Sequence, residues 1–249
     1  MPIRVITVAM VILIIIIRHV PCVLKSMRIW NDRIRNGNVR WIRNVISLFS
    51  GTPGSGKSLH VAERLYWWIK SGKPCICNFD IDLTKIKTRK EKRFVYRDNC
   101  ALTPEYLIQY AKDYIASAGG VKEGSILLVI DECQILFNSR DWGRSGRSSW
   151  LSFFTMHRHL GYDIILVAQF DRMIDRQIRC LVEYEHIHRK VSNYGWKGKI
   201  FSLVALGNLF VCVKTWYPLK EKVGSSFFRA KSVYYSLYDT YVMFDAPGN

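Results

Sequence analysis

No C-x-x-C pair occurs in the 249 residues, and the cysteines, Cys22, Cys75, Cys77, Cys100, Cys133, Cys180 and Cys212, are odd in number. That spacing gives neither a disulfide framework nor a zinc site, so reduced thiols in a cytosolic setting are expected. Acidic residues are scarce. Twenty Asp and Glu face 37 Lys and Arg, a formal net charge of +17. Residues 45–249 keep 29 of the cations against 19 acids, so the excess belongs partly to the body of the chain. No internal repeat or low-complexity linker divides the sequence, and at 49% hydrophobic it is long enough to bury a sizeable core. Apolar runs of membrane-spanning length are also missing. Val5–Ile17 is uncharged and nearly all aliphatic but reaches only about 20 Å as a helix, against about 30 Å of hydrocarbon.

What the chain does have is Gly51-Thr52-Pro53-Gly54-Ser55-Gly56-Lys57-Ser58, a complete G-x-x-x-x-G-K-[ST] loop directly after the apolar run Val45–Phe49. Its glycines let successive backbone N–H groups curl around phosphates where a Cβ would collide or forbid positive φ. Lys57 is placed to reach the β- and γ-phosphates, and the Ser58 hydroxyl to ligate Mg²⁺. Leu59, Ala62, Leu65, Tyr66 and Ile69 then recur at helical spacing. A helix therefore starts at the loop with its positive dipole end at the phosphates, and residues Gly51 to Leu59 form the expected nucleotide cradle.

The run Ser125-Ile-Leu-Leu-Val-Ile130-Asp131-Glu132 reads as a strand buried on both faces and closed by two acids. Asp131 would hold Mg²⁺ and Glu132 would orient or deprotonate the attacking water. A further strand, Ile164–Ala168, ends in Gln169, either a sensor of the γ-phosphate and attacking water or a side chain that merely satisfies loop backbone. An N-K-x-D guanine reader and an L-S-G-G-Q signature are both missing, so the Asp-Glu pair favours an ATPase of the RecA-like or additional-strand type. Such folds take an arginine from a neighbouring subunit. Arg140 is the candidate finger, with Arg144, Arg147 and Arg158 as alternatives; a solvated or DNA-facing charge is the simpler role for each.

Taken together, the loop Gly51–Ser58, the strand Ile126–Glu132 continuing through Cys133 to Arg140, the segment His157–Asp163 and the strand end Ala168-Gln169-Phe170-Asp171 resemble the zonular occludens toxin (Zot) family. The resemblance covers about residues 45 to 245. It implies a P-loop ATPase at the cytoplasmic membrane, in a family that includes the assembly ATPase of filamentous phages and is thought to drive extrusion of single-stranded DNA particles. ATP and Mg²⁺ as cofactors, a homo-oligomer or ring, and phage coat and assembly proteins as partners follow from the same resemblance. A toxin role does not follow, because that activity belongs to an extracytoplasmic tail that this sequence lacks. Two other readings share the core: a nucleotide-controlled switch that grips DNA or a coat partner with slow turnover, and a DNA-pumping or conjugation ATPase.

Residues 1–44 form a basic extension relative to the family pattern. Within it, residues 5–24 are either a membrane anchor, oriented by the cations that follow so that the ATPase stays inside, or a consequence of a start site assigned upstream of Met27. In the remaining domain, Lys85, Lys87, Arg89, Lys90, Lys92, Arg93 and Arg97 crowd one region, a candidate contact for single-stranded DNA or the membrane surface. Tyr194 and Trp196 lie among cations, with base stacking and turn packing as the alternatives. His186 and His188 alternate, so both face one side of a strand. They are conceivable metal donors that lack a third ligand in sequence.

The expected architecture is α/β: a parallel sheet flanked by helices, followed by a small antiparallel extension at about 182–217 and a C-terminal helix. Strands are predicted at Pro74–Phe79, Phe94–Tyr96, Glu183–Val191, Ile200–Ala205 and Leu209–Trp216. Helices are predicted from Thr103, with Thr as N-cap and Pro104 at the first position, to about Ala116, from Trp150 to Leu160, and from Ser232 to Phe244.

Overall fold

The computed structural model describes residues 45–120, 123–138, 146–196 and 209–237. The candidate anchor, Arg140 and Arg144, the predicted strand Ile200–Ala205 and the chain after Leu237 lie outside these residues.

Aliphatic runs set the middle of the sheet. Strands β1 (Ile46–Ser50), β4 (Ile126–Ile130) and β5 (Tyr162–Val167) are buried along their whole length. Such strands need cover on both faces, and alternation sends successive side chains to opposite sides. Leu127 and Val129 of β4 pack with Leu59, Ala62, Leu65 and Ile69 of helix α1 (Lys57–Lys70). Ile126, Leu128 and Ile130 instead meet Leu107 and Ala111 of α2 (Pro104–Ala118) and Phe153 and Phe154 of α3 (Arg147–Met156). Two apolar layers thus sandwich one sheet.

Thr103 caps α2 as its sequence predicts, its hydroxyl accepting from Tyr106 N at 3.2 Å, and Gly119 in the left-handed region ends the helix. Helix α3 begins three residues earlier than predicted and stops at Met156, because the chain turns at 157–161 to enter β5. The strand predicted at Pro74–Phe79 is confined to β2 (Cys75–Cys77), and β3 is Phe94–Tyr96.

Among the described residues the sheet has eight strands in the order β3-β2-β4-β5-β1-β6-β7-β8, with β6 at Tyr184–Lys190, β7 at Leu209–Trp216 and β8 at Glu221–Arg229. From β3 to β6 every neighbouring pair is parallel; β7 and β8 run antiparallel. The antiparallel part is therefore continuous with the main sheet, and β6 joins that sheet by pairing with β1, Leu48 opposite Glu185. Strand β8 has no counterpart among the predicted strands; its residues are mostly exposed and its ladder with β7 is irregular at Lys214 and Thr215. Two single-turn helices follow their strands, α4 (Arg176–Arg179) and α5 (Ser232–Tyr235); the final helix predicted from Ser232 stops at Tyr235, with Ser236 and Leu237 in a turn and the rest outside the described residues. Among the described residues no helix is long and apolar enough to cross a membrane.

Strand β5 lies between β1 and β4, with Ile164 opposite both Ile46 and Leu128. The carboxyl ends of all three finish at one edge. In open α/β sheets that edge is where ligands bind.

Candidate functional site

The glycine-rich loop leaves β1 at Ser50 and closes on the first turn of α1. Gly51, Gly54 and Gly56 have φ of +144°, +72° and +94°, the region where a side chain is strained. Two of these glycines are also required by space. A Cβ on Gly51 would sit 2.6 Å from the carbonyl oxygen of His188, and one on Gly56 would sit 2.6 Å from the Phe210 ring. Ser55 N donates to Thr52 O at 3.1 Å, and His60 N makes the first α-helical bond, to Gly56 O at 3.0 Å. The N–H groups of Lys57, Ser58 and Leu59 precede that bond and remain available to an anion at the helix N-terminus. Leu59 contributes only its backbone there, since its side chain is in the core. Thr52, Pro53 and Gly54 form the exposed tip, whereas the Ser55 hydroxyl is buried without a hydrogen-bond partner.

Lys57 is buried, its Nζ donating to Gly51 O at 2.7 Å and Thr52 O at 3.3 Å. Burial lowers its pKa, while the charges of Glu132 and Asp131 act in the opposite direction. The loop lysine and the two acids therefore share one electrostatic neighbourhood, although β5 separates their strands. Asp131 is buried, and its carboxylate Oδ1 accepts from Glu132 N at 2.8 Å. Glu132 has φ +45°, a left-handed turn that carries the chain off the strand end. Its Oε2 accepts from the Gln134 amide. Asn78, just after β2, pairs with the backbone of Asp131 and also donates to Asn99 Oδ1 at 2.9 Å.

Gln169 follows β5, and its carbonyl accepts from Gly51 N at 3.1 Å, tying the strand end to the start of the loop. A cavity of about 510 Å³ opens there, lined by Ser50, Gly51, Gln169, Glu185, Arg189 and Tyr194 among others. Its floor is fixed by Ser50 Oγ, which donates to Glu185 Oε1 at 2.7 Å, and by Lys220 Nζ, which donates to Glu185 Oε2 at 3.0 Å.

The sequence-predicted residues fall into three groups. Gly51 to Leu59, Asp131, Glu132 and Gln169 converge on one edge. Arg147 and Arg158 are instead committed within the chain, to Asp175 and Glu183. Arg140 lies outside the described residues. Asn78 and Gln134 were missed because each is a lone amide beside a short element, with no spacing that announces it. In the basic segment after β2, Lys92 Nζ donates to Leu83 O at 2.7 Å and Lys90 Nζ to Ser71 O at 3.1 Å, while Arg93 pairs with Glu91 at 2.7 Å. Lys87 and Arg89 are exposed.

A glycine-rich loop on the first strand of a mainly parallel sheet, an acidic pair closing another strand, and one strand inserted between them define a P-loop NTPase of the additional-strand type. A family model described as zonular occludens toxin (Zot) matches residues 45–243. The chain belongs to the Zot family. It is 43% identical over 148 residues to the Gene 1 protein of Escherichia phage If1, covering 57% of this chain and 40% of that protein. With the Gene 1 protein of Enterobacteria phage fd the identity is 30% over 166 residues, 62% of this chain and 45% of the other. The chain spans less than half the length of either relative. Among solved structures, an ATPase domain shares the fold at a TM-score of 0.51 and 9% identity, over 79% of this chain and 85% of that one.

Proposed function

We propose that the chain is an ATP-hydrolysing motor for the assembly and extrusion of filamentous, single-stranded DNA phage at the inner face of the cytoplasmic membrane. The observation that carries this reading is the meeting of Lys57 with Asp131 and Glu132 at the mouth of a glycine loop tied by its backbone to Gln169. The phage relatives supply the direction of the work.

The residues divide the chemistry as follows. The loop amides and the N-terminus of α1 hold the β- and γ-phosphates. Lys57 exchanges its bonds to Gly51 O and Thr52 O for phosphate oxygens, a swap favoured by the charge of the new acceptors. Ser58 and Asp131 are the donors that fit Mg²⁺, a hard cation that prefers oxygen ligands and neutralises charge on the transferring group. Glu132, held by Gln134, takes the proton of the attacking water, and Gln169 reads whether the γ-phosphate is present. Since Arg147 and Arg158 are engaged within the chain, Arg140 is the candidate for a finger contributed to a neighbour in a homo-oligomer, with Arg144 as the alternative. Coat and assembly proteins, single-stranded DNA along Lys87 and Arg89, and the membrane surface are the partners of this reading.

Steady-state ATP hydrolysis, with single-stranded DNA titrated in, tests it beside Glu132→Gln. The variant retains ATP binding and loses turnover by about 10²–10⁴-fold if Glu132 is the general base. Unchanged turnover would remove Glu132 from that role. Binding without turnover, even with lipid bilayers and coat protein added, would favour the slow nucleotide switch.

A further inference from the structure

Behind the phosphate loop, on the face of the sheet that α1 covers, a cluster of donors takes no part in nucleotide chemistry. His60 of α1, His188 of β6 and Cys212 of β7 are all buried, and one donor atom from each lies within 4.8 Å of the others. His188 and Cys212 face each other across the β6–β7 ladder, and His60 reaches them from the helix. The helix thus supplies the donor that the alternation of His186 and His188 lacks.

The hydrogen bonds prepare the donors. His188 Nδ1 lies 3.2 Å from the carbonyl of Ser50, an acceptor only, so the ring proton belongs on Nδ1 and the lone pair on Nε2. That lone pair accepts a hydrogen bond from His60 Nδ1, 2.8 Å away, so His60 ligates through Nδ1 only after its ring proton moves to Nε2. An imidazole held by a backbone carbonyl on one nitrogen and ligating with the other is the usual arrangement at metal-binding histidines. His186 Nδ1 stands 3.6 Å from the Cys212 sulfur as an outer partner. The rings of Phe49 and Phe228 lie 5.0 and 4.9 Å from that of His60 and make the surroundings apolar.

We propose that His60, His188 and Cys212 form a binding site for one d¹⁰ transition-metal cation, Zn²⁺ or Cu⁺, that clasps α1 to β6 and β7. Two imidazoles and a thiolate suit these ions, whereas Mg²⁺ and Ca²⁺ would need oxygen ligands. On binding, the His60 ring proton passes from Nδ1 to Nε2, the Cys212 S–H bond breaks, the sulfur–metal bond forms and the thiol proton leaves to solvent. The two imidazole nitrogens must part by about half an ångström to share a metal at bonds of roughly 2.0–2.1 Å. Charge separates the two ions: with one thiolate, Cu⁺ gives a neutral centre and Zn²⁺ leaves one positive charge near Lys57 and Arg64, whose charges already act on His188 and His60.

The test is metal content, which does not depend on the nucleotide reading. The full chain, with Cys22, Cys100 and Cys180 replaced by serine to remove competing thiols, is stripped with chelator, offered Zn²⁺ or Cu⁺ separately, gel-filtered and assayed by mass spectrometry. One equivalent of either ion is expected to remain, and the ion retained under mutual competition identifies the occupant. Co²⁺ substituted into the site should give a thiolate-to-metal charge-transfer band that disappears in Cys212→Ser. Retention of neither ion, or a band that survives Cys212→Ser, would overturn the site. The retention arm uses a chain in which all three ligands are intact, so the result stands even if Cys212→Ser does not fold.

Discussion

Asn78 and Asp131 exchange two hydrogen bonds. The Asp131 N–H donates to Asn78 Oδ1 at 2.7 Å, and Asn78 Nδ2 donates to the Asp131 carbonyl at 2.8 Å. The amide takes the place of a backbone partner just where β2 has stopped pairing with β4, and so fixes the direction in which the acidic pair leaves the sheet.

Asn78→Ala should therefore lower ATP turnover by about 10–100-fold, the range typical when a residue orienting a metal ligand is lost. Its signature is a higher Mg²⁺ concentration for half-maximal rate. Asn78→Asp keeps the acceptor but loses the donor, and should fall between Asn78→Ala and the parent chain. Equal Mg²⁺ dependence in all three proteins would mean that the pair only supports the fold.

Gly56 and Gly54 separate backbone conformation from crowding. Both have positive φ, but a Cβ at Gly54 meets nothing within 4 Å, whereas one at Gly56 strikes the Phe210 ring. Gly54→Ala should cost about 1 kcal/mol of stability and Gly56→Ala about 2–5 kcal/mol, the excess being overpacking. Adding Phe210→Ala to Gly56→Ala should give a double variant more stable than the sum of the two losses by at least about 1 kcal/mol, as read by urea denaturation.

Arg64 of α1 and Asp163 of β5 form a buried ion pair, Nη2 to Oδ2 3.3 Å. Burial moves Arg64 down and Asp163 up despite their mutual attraction, so desolvation outweighs the pairing on both sides. Asp163→Leu alone should destabilise by about 3–5 kcal/mol, while Arg64→Met with Asp163→Leu should return close to the parent stability. A double variant as unstable as the single one would show that the charges themselves hold α1 on the sheet.

Membrane association is assigned in this reading to residues 5–24. The full chain should then sediment with inner-membrane vesicles and a chain begun at Met27 should not. Equal sedimentation of the two would move the membrane contact into the ATPase domain.

The site was legible where one residue type has one physical use. Glycines at 51, 54 and 56 announce a backbone that must pass through positive φ, and five aliphatics before Asp131 announce a strand covered on both faces. Positions set by long-range pairing were not legible. Strand β6 alternates like a half-exposed antiparallel strand, yet its partner on one side is β1, in parallel. In β8, Gly224, Ser225 and Ser226 break the apolar alternation, and only the ladder to β7 identifies it. His60 reads as an ordinary helix residue until β6 and β7 bring His188 and Cys212 beneath it. Arg147, one of the alternative fingers, is paired with Asp175, a partner that no sequence spacing announces.

The close packing around Gly51 and Gly56 couples the phosphate loop to β6 and β7. A Cβ on the first glycine would strike the His188 carbonyl, and one on the last would strike the Phe210 ring. With no room for an added carbon at either place, a displacement of the β6–β8 ribbon toward the loop would press on both ends of the phosphate cradle at once. In the proposed motor, a pull exerted on β8 would then be transmitted to the nucleotide site through this ribbon.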